Sequence, residues 1–344
     1  MYESFYGLSG KPFQLNPDPA FYFGSRGHKR AFAYLQYGLY QSEGFIVITG
    51  EVGAGKTTIV RSLFEQMDRE RLVAAQLVST QLDADDMLRS IATAFGLRTK
   101  SIDKATLLAS LEAFLCQLAV ADKRALLVVD EAQNLTSRAI EELRMLSNFQ
   151  LGDRALLQSF LVGQPQLRSM MQGPEMQQLR QRVIASYHLG PMDKSETQAY
   201  VEHRLTHVGW KGDPAFQPDA FEVIHAMSGG IPRRINSLCN RALLSGFLAE
   251  KHSFDASHVR AIAHEIRDEL GPETRFGIAA SANVDFAAPS VGGNGSSDSA
   301  AWLSHVHDIE ERIERLEKTV GGAVDLLHRL LHPERTPKPD AKGR

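Results

Sequence analysis

Residues 50–57 of this 344-residue chain spell GEVGAGKT, a G-x-x-x-x-G-K-[ST] run. Residues of these types at this spacing hold phosphate. The glycines let backbone N–H groups turn inward around phosphate oxygens, the lysine brings a compact positive charge, and the final hydroxyl is a ligand for Mg²⁺. The apolar run FIVIT (45–49) precedes the motif and a helical pattern follows it. That is the strand–loop–helix context the motif requires. Gly50, Glu51, Val52, Gly53, Ala54, Gly55, Lys56, Thr57 and Thr58 are therefore the candidate nucleotide-binding residues. Lys56 is expected on the β- and γ-phosphates and Thr57 on the metal.

A second motif, LLVVDEAQNL, lies at 126–135. Its apolar residues end in Asp130 and Glu131. Alone, it reads as a buried strand with two acids capping the next helix. Beside a phosphate loop, Asp130 belongs to the nucleotide site and reaches the Mg²⁺ shell. Glu131 can then orient and deprotonate a water for attack on the γ-phosphate. An Asp-Glu pair suits an ATPase with a glutamate base, and no strong NKxD-like guanine signature accompanies it. A third stretch, SGGIPRRIN (228–236), puts Arg233 and Arg234 at the entrance of a helical pattern. The helix dipole favours anions there, so two arginines at that spot call for a negative charge nearby.

These residues need a frame, and the hydrophobic pattern supplies one. Five short apolar runs, 45–49, 72–78, 125–130, 157–162 and 183–189, alternate with amphipathic stretches such as 56–67, 104–120 and 137–149. This is the α/β signature, and the solid hydrophobicity suits parallel strands buried on both faces. Residues 1–189 are expected to form the α/β nucleotide-binding core, with an N-terminal segment rich in aromatics and proline. From 190 to 270 the strands stop and four helical patterns make a small all-helical module. Residues 271–300 are rich in Gly, Ser, Ala and Asn, the composition of a flexible linker. In 301–333, Val306, Ile313, Val320 and Leu327 fall seven apart, as do Ile309, Leu316, Ala323 and Leu330. That is a coiled-coil-like heptad seam. Residues 334–344 have the composition of a disordered tail.

Composition sets outer limits. With 43% hydrophobic and 23% charged residues the chain can bury a sizeable core. A net charge of -3 disfavours nonspecific coating of nucleic acid. Cys116 and Cys239 form no metal-like cluster and read as small buried residues in a reducing compartment. The sequence shows no signal-peptide pattern and no apolar run of about 18 residues, so a cytoplasmic location without a membrane span is expected. Recruitment to the inner membrane would then go through a partner.

The chain resembles the AAA+ ATPases, with GEVGAGKT as Walker A and LLVVDE as Walker B. More narrowly, residues 7–39, DEAQNL and LVGQPQL resemble the accessory ATPases of bacterial secretion, the ExeA/GspA group. Within it, the nearest likeness is to the ATPase encoded with exosortase (PEP-CTERM) and exopolysaccharide loci. The likeness covers about residues 1–270. It implies a P-loop core with a helical lid, ATP and Mg²⁺ as cofactors, and ATP hydrolysis that powers or regulates a secretion or exopolysaccharide-export machine. It also implies self-association, through an AAA+ assembly and pairing of the C-terminal helix, and a protein partner in the export complex.

The resemblance assigns further residues. Arg233, after a Gly-x-Pro turn, takes the lid position that touches the γ-phosphate, and Arg234 is structural or on the surface. Gln164 stands where a polar residue meets the γ-phosphate or the attacking water, or else simply starts a helix. Arg182, or alternatively Arg180, reaches a neighbouring subunit's ATP. The segment 12–23 packs near the adenine pocket. In the ExeA group a transmembrane span and a peptidoglycan-binding region follow the ATPase. Here a linker and a heptad helix stand in that place, which argues against a cell-wall-binding role. Two other readings remain: a DNA-binding transposition ATPase of the TniB or MuB type, which shares the DEAQ-like region, and a nucleotide-dependent scaffold with negligible turnover.

Overall fold

The structure, a computed structural model, describes residues 1–270 except 69, 79–81 and 101. The expected linker, heptad helix and tail lie outside the described residues. In chain order the first elements are α1 (Tyr2–Phe5), α2 (Arg26–Gln41), β1 (Phe45–Gly50), α3 (Lys56–Gln66), β2 (Leu72–Val78), α4 (Ala84–Ala94), α5 (Lys104–Val120) and β3 (Arg124–Asp130). They are followed by α6 (Ser137–Leu146), β4 (Gln150–Leu151), β5 (Arg154–Ala155), β6 (Leu157–Gly163), α7 (Pro165–Met171), α8 (Gln177–Arg180) and β7 (Val183–Leu189). The remaining elements are α9 (Lys194–His207), β8 (Ala215–Phe216), α10 (Pro218–Ser228), α11 (Pro232–Leu248), β9 (Ser253–Phe254) and α12 (Ala256–Leu270).

Five strands form one parallel sheet in the order β2-β3-β6-β1-β7. The three inner strands are buried almost throughout, which explains the unbroken apolar runs of β1 and β3, while β6 buries Gln158 and Ser159 among its apolar residues. Alternate side chains serve opposite faces. Phe45 and Val47 join Met87, Ile91, Leu111 and Leu143 from α4, α5 and α6 on one face. Ile46 and Ile48 join Leu35, Ile59 and Leu63 from α2 and α3 on the other. The carboxyl ends of β1 and β3 therefore emerge at the same rim of the sheet, on either side of β6.

Local chemistry starts the helices. Ser25, Asp83, Asp103 and Thr136 accept a first-turn backbone N–H at the heads of α2, α4, α5 and α6. Asp193 and Glu196 make a reciprocal capping box on α9. Pro218 and Pro232 occupy the first position of α10 and α11, where no N–H is needed. Helices α9 to α12 share their own core, centred on Val201, Ile224, Leu238 and Val259.

Four details differ from the sequence reading. Helix α6 ends at Leu146 rather than Phe149, because the chain turns there into the antiparallel β4–β5 ribbon. The helical module holds a two-residue parallel pair, β8 with β9. Cys239 is fully buried, and burial pushes its thiol pKa up, but Cys116 is only half-buried. The N-terminal segment is the largest departure. Tyr2, Tyr6, Leu8 and Phe13 pack into the helical module rather than against the sheet. Buried Arg204 of α9 holds that segment, donating to the carbonyls of Pro12 (2.6 Å) and Gln14 (3.1 Å).

Candidate nucleotide site

A cleft opens at the sheet rim between the phosphate loop and α11. It is lined by Val52, Gly53, Gly55, Lys56, Thr57, Thr58, Glu131 and Arg233, and roofed by the 14–18 segment with Phe21, Tyr22 and Phe23. The loop's shape depends on two glycines. Gly53 (φ +81°) and Gly55 (φ +99°) adopt a backbone conformation that side chains resist. A Cβ on Gly53 would lie 2.3 Å from Cβ of Arg233, and one on Gly55 would lie 2.6 Å from Nε2 of His28. Neither position admits a side chain, because the lid and α2 come into direct contact with the loop.

Lys56 opens α3 and is 6% exposed. Its Nζ donates to the carbonyls of Gly50 (2.7 Å) and Glu51 (3.0 Å), inside the loop it is expected to serve. Burial lowers its pKa, and the carboxylates of Glu131, Asp130 and Glu51 counter that in part. Asp130 ends β3 as a buried carboxylate. It accepts from Thr57 Oγ1 at 3.0 Å and from the backbone N–H of Glu131 at 3.0 Å. One hydroxyl and one carboxylate side by side, next to a phosphate cradle, fit Mg²⁺. That ion prefers oxygen ligands and is commonly held by one or two carboxylates plus phosphate oxygens. Among the described residues no cluster of three or more His, Cys, Asp or Glu could hold a metal by itself.

Glu131 sits in the left-handed region at φ 53°, a strained place for glutamate and one often found at functional sites. Two amides fix its carboxylate. Gln133 Nε2 donates to Oε2 at 2.6 Å and Gln164 Nε2 donates to the same oxygen at 2.9 Å. The amides also brace each other, since the backbone N–H of Gln164 donates to Oε1 of Gln133 at 2.9 Å. Burial pushes the Glu131 carboxyl up, but these bonds and the charges of Lys56 and Arg233 outweigh it and hold its pKa below the usual value. The group is therefore an ionised base near neutral pH.

Arg233 meets the loop through its backbone: its N–H donates to the carbonyl of Gly53 at 3.1 Å. Its side chain is exposed and lines the cleft, whereas Arg234 is half-buried. The two other sequence-selected arginines lie away from the cleft and differ from each other. Arg182 Nη1 donates to Ser147 O (3.0 Å) and Oγ (2.8 Å), and Nη2 donates to Asn148 Oδ1. That guanidinium ties β7 to the end of α6. Arg180 is exposed, with Nη1 on the carbonyls of Met171 and Gly173 at 2.7 Å each.

Sequence reasoning missed two residues. Gln133 stands two positions after Glu131, and nothing local says that its amide turns back. His28 is 26 residues from Ala54, whose carbonyl its ring touches at 2.9 Å. The only sequence signal for either was membership of a motif block.

Comparison with known proteins agrees with this geometry. Residues 39–171 match the family described as the AAA domain. General secretion pathway protein A of Aeromonas hydrophila is 40% identical over 274 residues, which is 78% of this chain and 50% of that protein. The chain thus spans half the length of that relative. Solved structures of like fold include the Aeropyrum pernix ORC1 protein in complex with DNA (TM-score 0.56, 17% identity, 74% of this chain and 69% of that one). Another is Cdc6p of Pyrobaculum aerophilum (TM-score 0.54, 16% identity, 78% and 73%). At these identities the likeness shows fold alone. The fold is that of the AAA+ P-loop proteins: a parallel α/β core with a small helical lid. No helix among the described residues is long and apolar enough to cross a membrane.

Proposed function

We propose that this AAA+ fold binds ATP with Mg²⁺ between core and lid, hydrolyses the γ-phosphate, and passes the change to a bacterial secretion machine from the cytoplasmic side. The observation that carries the reading is the Glu131 carboxylate, ionised and clamped by Gln133 and Gln164, beside the Thr57–Asp130 pair and the phosphate loop. Backbone N–H groups of residues 53–57 would hold the phosphates, and Lys56 would exchange two carbonyls of its own loop for phosphate oxygens. Bound Mg²⁺ would neutralise phosphate charge, and Thr57 and Asp130 are the residues to hold it. Glu131 would take a proton from the attacking water, and Gln164 would steady both groups. The secretion assignment rests on the likeness to general secretion pathway protein A. The finer assignment to an exosortase and exopolysaccharide locus rests on the sequence resemblance alone. Recovery of secretion or exopolysaccharide components with the tagged chain from cells tests it, and recovery of a transposase with DNA instead would overturn it.

Arg233 should report the γ-phosphate to the lid. Its backbone already touches Gly53, so a change in side-chain charge balance is felt where lid and loop meet. Arg233→Ala should weaken ATP binding by about 10- to 100-fold, the size of one charge-assisted hydrogen bond, and leave ADP within about threefold. Titrating both nucleotides by fluorescence checks this, and equal losses for the two would point to a general structural role.

A trans arginine would make the active unit an assembly. Both arginines make hydrogen bonds within their own subunit, but Arg182 is half-buried and uses both Nη groups, whereas Arg180 is exposed and bonds through Nη1, so Arg180 is the better supported choice. Arg180→Ala mixed with Glu131→Gln should regain activity at mixed interfaces, since each supplies what the other lacks. Phosphate release measured across mixing ratios, with assembly verified, tests this; a flat response would count against a shared site. Pairing through residues 301–333 is proposed as a second contact.

A further inference from the structure

The N-terminus of α2 touches the phosphate loop through one ring. His28 is 5% exposed, and its two nitrogens face two different partners. Nε2 lies 2.9 Å from the carbonyl oxygen of Ala54, and Nδ1 lies 2.6 Å from Oγ of Ser25. A carbonyl only accepts, so Nε2 carries the proton. Burial lowers the pKa of the ring and favours the neutral form, in which Nδ1 accepts from the Ser25 hydroxyl. Ser25 in turn caps α2, receiving the backbone N–H of His28. The ring is thus held at both ends by a rigid helix start. Only glycine at position 55 lets it approach this closely.

The Ala54 carbonyl shares a peptide unit with the N–H of Gly55. A trans peptide is planar and points these two groups in opposite directions. Holding the carbonyl toward α2 therefore turns the Gly55 N–H away from α2. We infer that His28 is a positioning residue for phosphate binding: by donating to Ala54 it sets the loop peptide so that the Gly55 N–H faces the phosphates. The inference rests on the nucleotide reading of this cleft. It accounts for a buried histidine with a defined tautomer next to a loop whose function is carried by peptide orientation.

The test uses the full chain and measures dissociation constants for MgATP and MgADP, with the melting temperature of the ligand-free protein alongside. His28→Leu should weaken both nucleotides by about tenfold, the scale of one hydrogen bond to a charged group. His28→Gln, whose amide nitrogen can reach the same carbonyl, should stay within about threefold of wild type. A purely structural role would instead make both variants track the loss in melting temperature. The inference is overturned if His28→Leu binds within twofold of wild type, or if His28→Gln is as weak as His28→Leu. Should His28→Leu fail to fold, Ser25→Ala takes its place, since it keeps the ring but frees its orientation. A loss of about threefold is expected there, and no loss overturns the inference. Lys56→Ala separates the two layers. If it loses nucleotide while the His28 variants do not, only this inference fails; if it binds normally, the nucleotide reading itself fails.

Discussion

Glu131→Gln should leave MgATP binding within a few-fold of wild type and lower steady-state phosphate release by about 10²- to 10⁴-fold, the usual contribution of a positioned general base. The substitution is nearly isosteric. It keeps an acceptor oxygen for the Gln133 and Gln164 amides, so the clamp has no reason to collapse. What disappears is a group able to take a proton. The structure sharpens the expectation because the carboxylate is held ionised by its surroundings and not merely exposed at a strand end. Phosphate release within a few-fold of wild type would place the base elsewhere. A fall in binding that matches the fall in turnover would mean that Glu131 supports the site's shape.

Lys56→Ala is the second large effect, and it acts one step earlier. Lys56 is buried, and the loop carbonyls of Gly50 and Glu51 fix its ammonium at the base of the cleft. Contacts from an ammonium to two phosphate oxygens are each charge-assisted, worth about 1.5–3 kcal/mol. Losing both predicts binding weaker by about 10²-fold or more. Thr57 and Asp130 would remain paired, so the fold should persist. A fluorescent ATP analogue titrated into the variant gives the answer. Affinity equal to wild type would remove Lys56 from the phosphates and the phosphate-loop assignment with it.

The parts of this molecule that were legible in the sequence are those fixed by local rules. The inner strands read as strands because both faces are buried, which leaves runs such as ALLVVD without a polar interruption. The strand–loop–helix turn at 50–57 was legible because glycines stand where the backbone takes positive φ, at Gly53 and Gly55. What stayed hidden depends on contacts across long separations. His28 meets Ala54 only because α2 and α3 lie on the same sheet face. The Glu131 clamp closes only because β3 and β6 are neighbours, which brings Gln164 to a residue 33 positions away. The sequence reading put Arg182 before Arg180, and only packing shows that Arg182 is held by Ser147 and Asn148 while Arg180 stays exposed on the carbonyls of Met171 and Gly173. The resemblance sent segment 12–23 toward the nucleotide cleft, which Phe21, Tyr22 and Phe23 do line, but nothing in the sequence announced that Tyr2, Tyr6, Leu8 and Phe13 pack into the helical module. The buried Arg204, which decides it, lies about 190 residues downstream.

The central claim is that the cleft between phosphate loop and lid hydrolyses ATP. Its most direct test is steady-state phosphate release from MgATP by the purified full chain, measured beside Lys56→Ala and Glu131→Gln prepared in the same way. The account predicts release by wild type that saturates with ATP, requires Mg²⁺, and falls to background in both variants. Release that persists in both variants, or none from a wild type shown to bind MgATP and to be assembled, would contradict it.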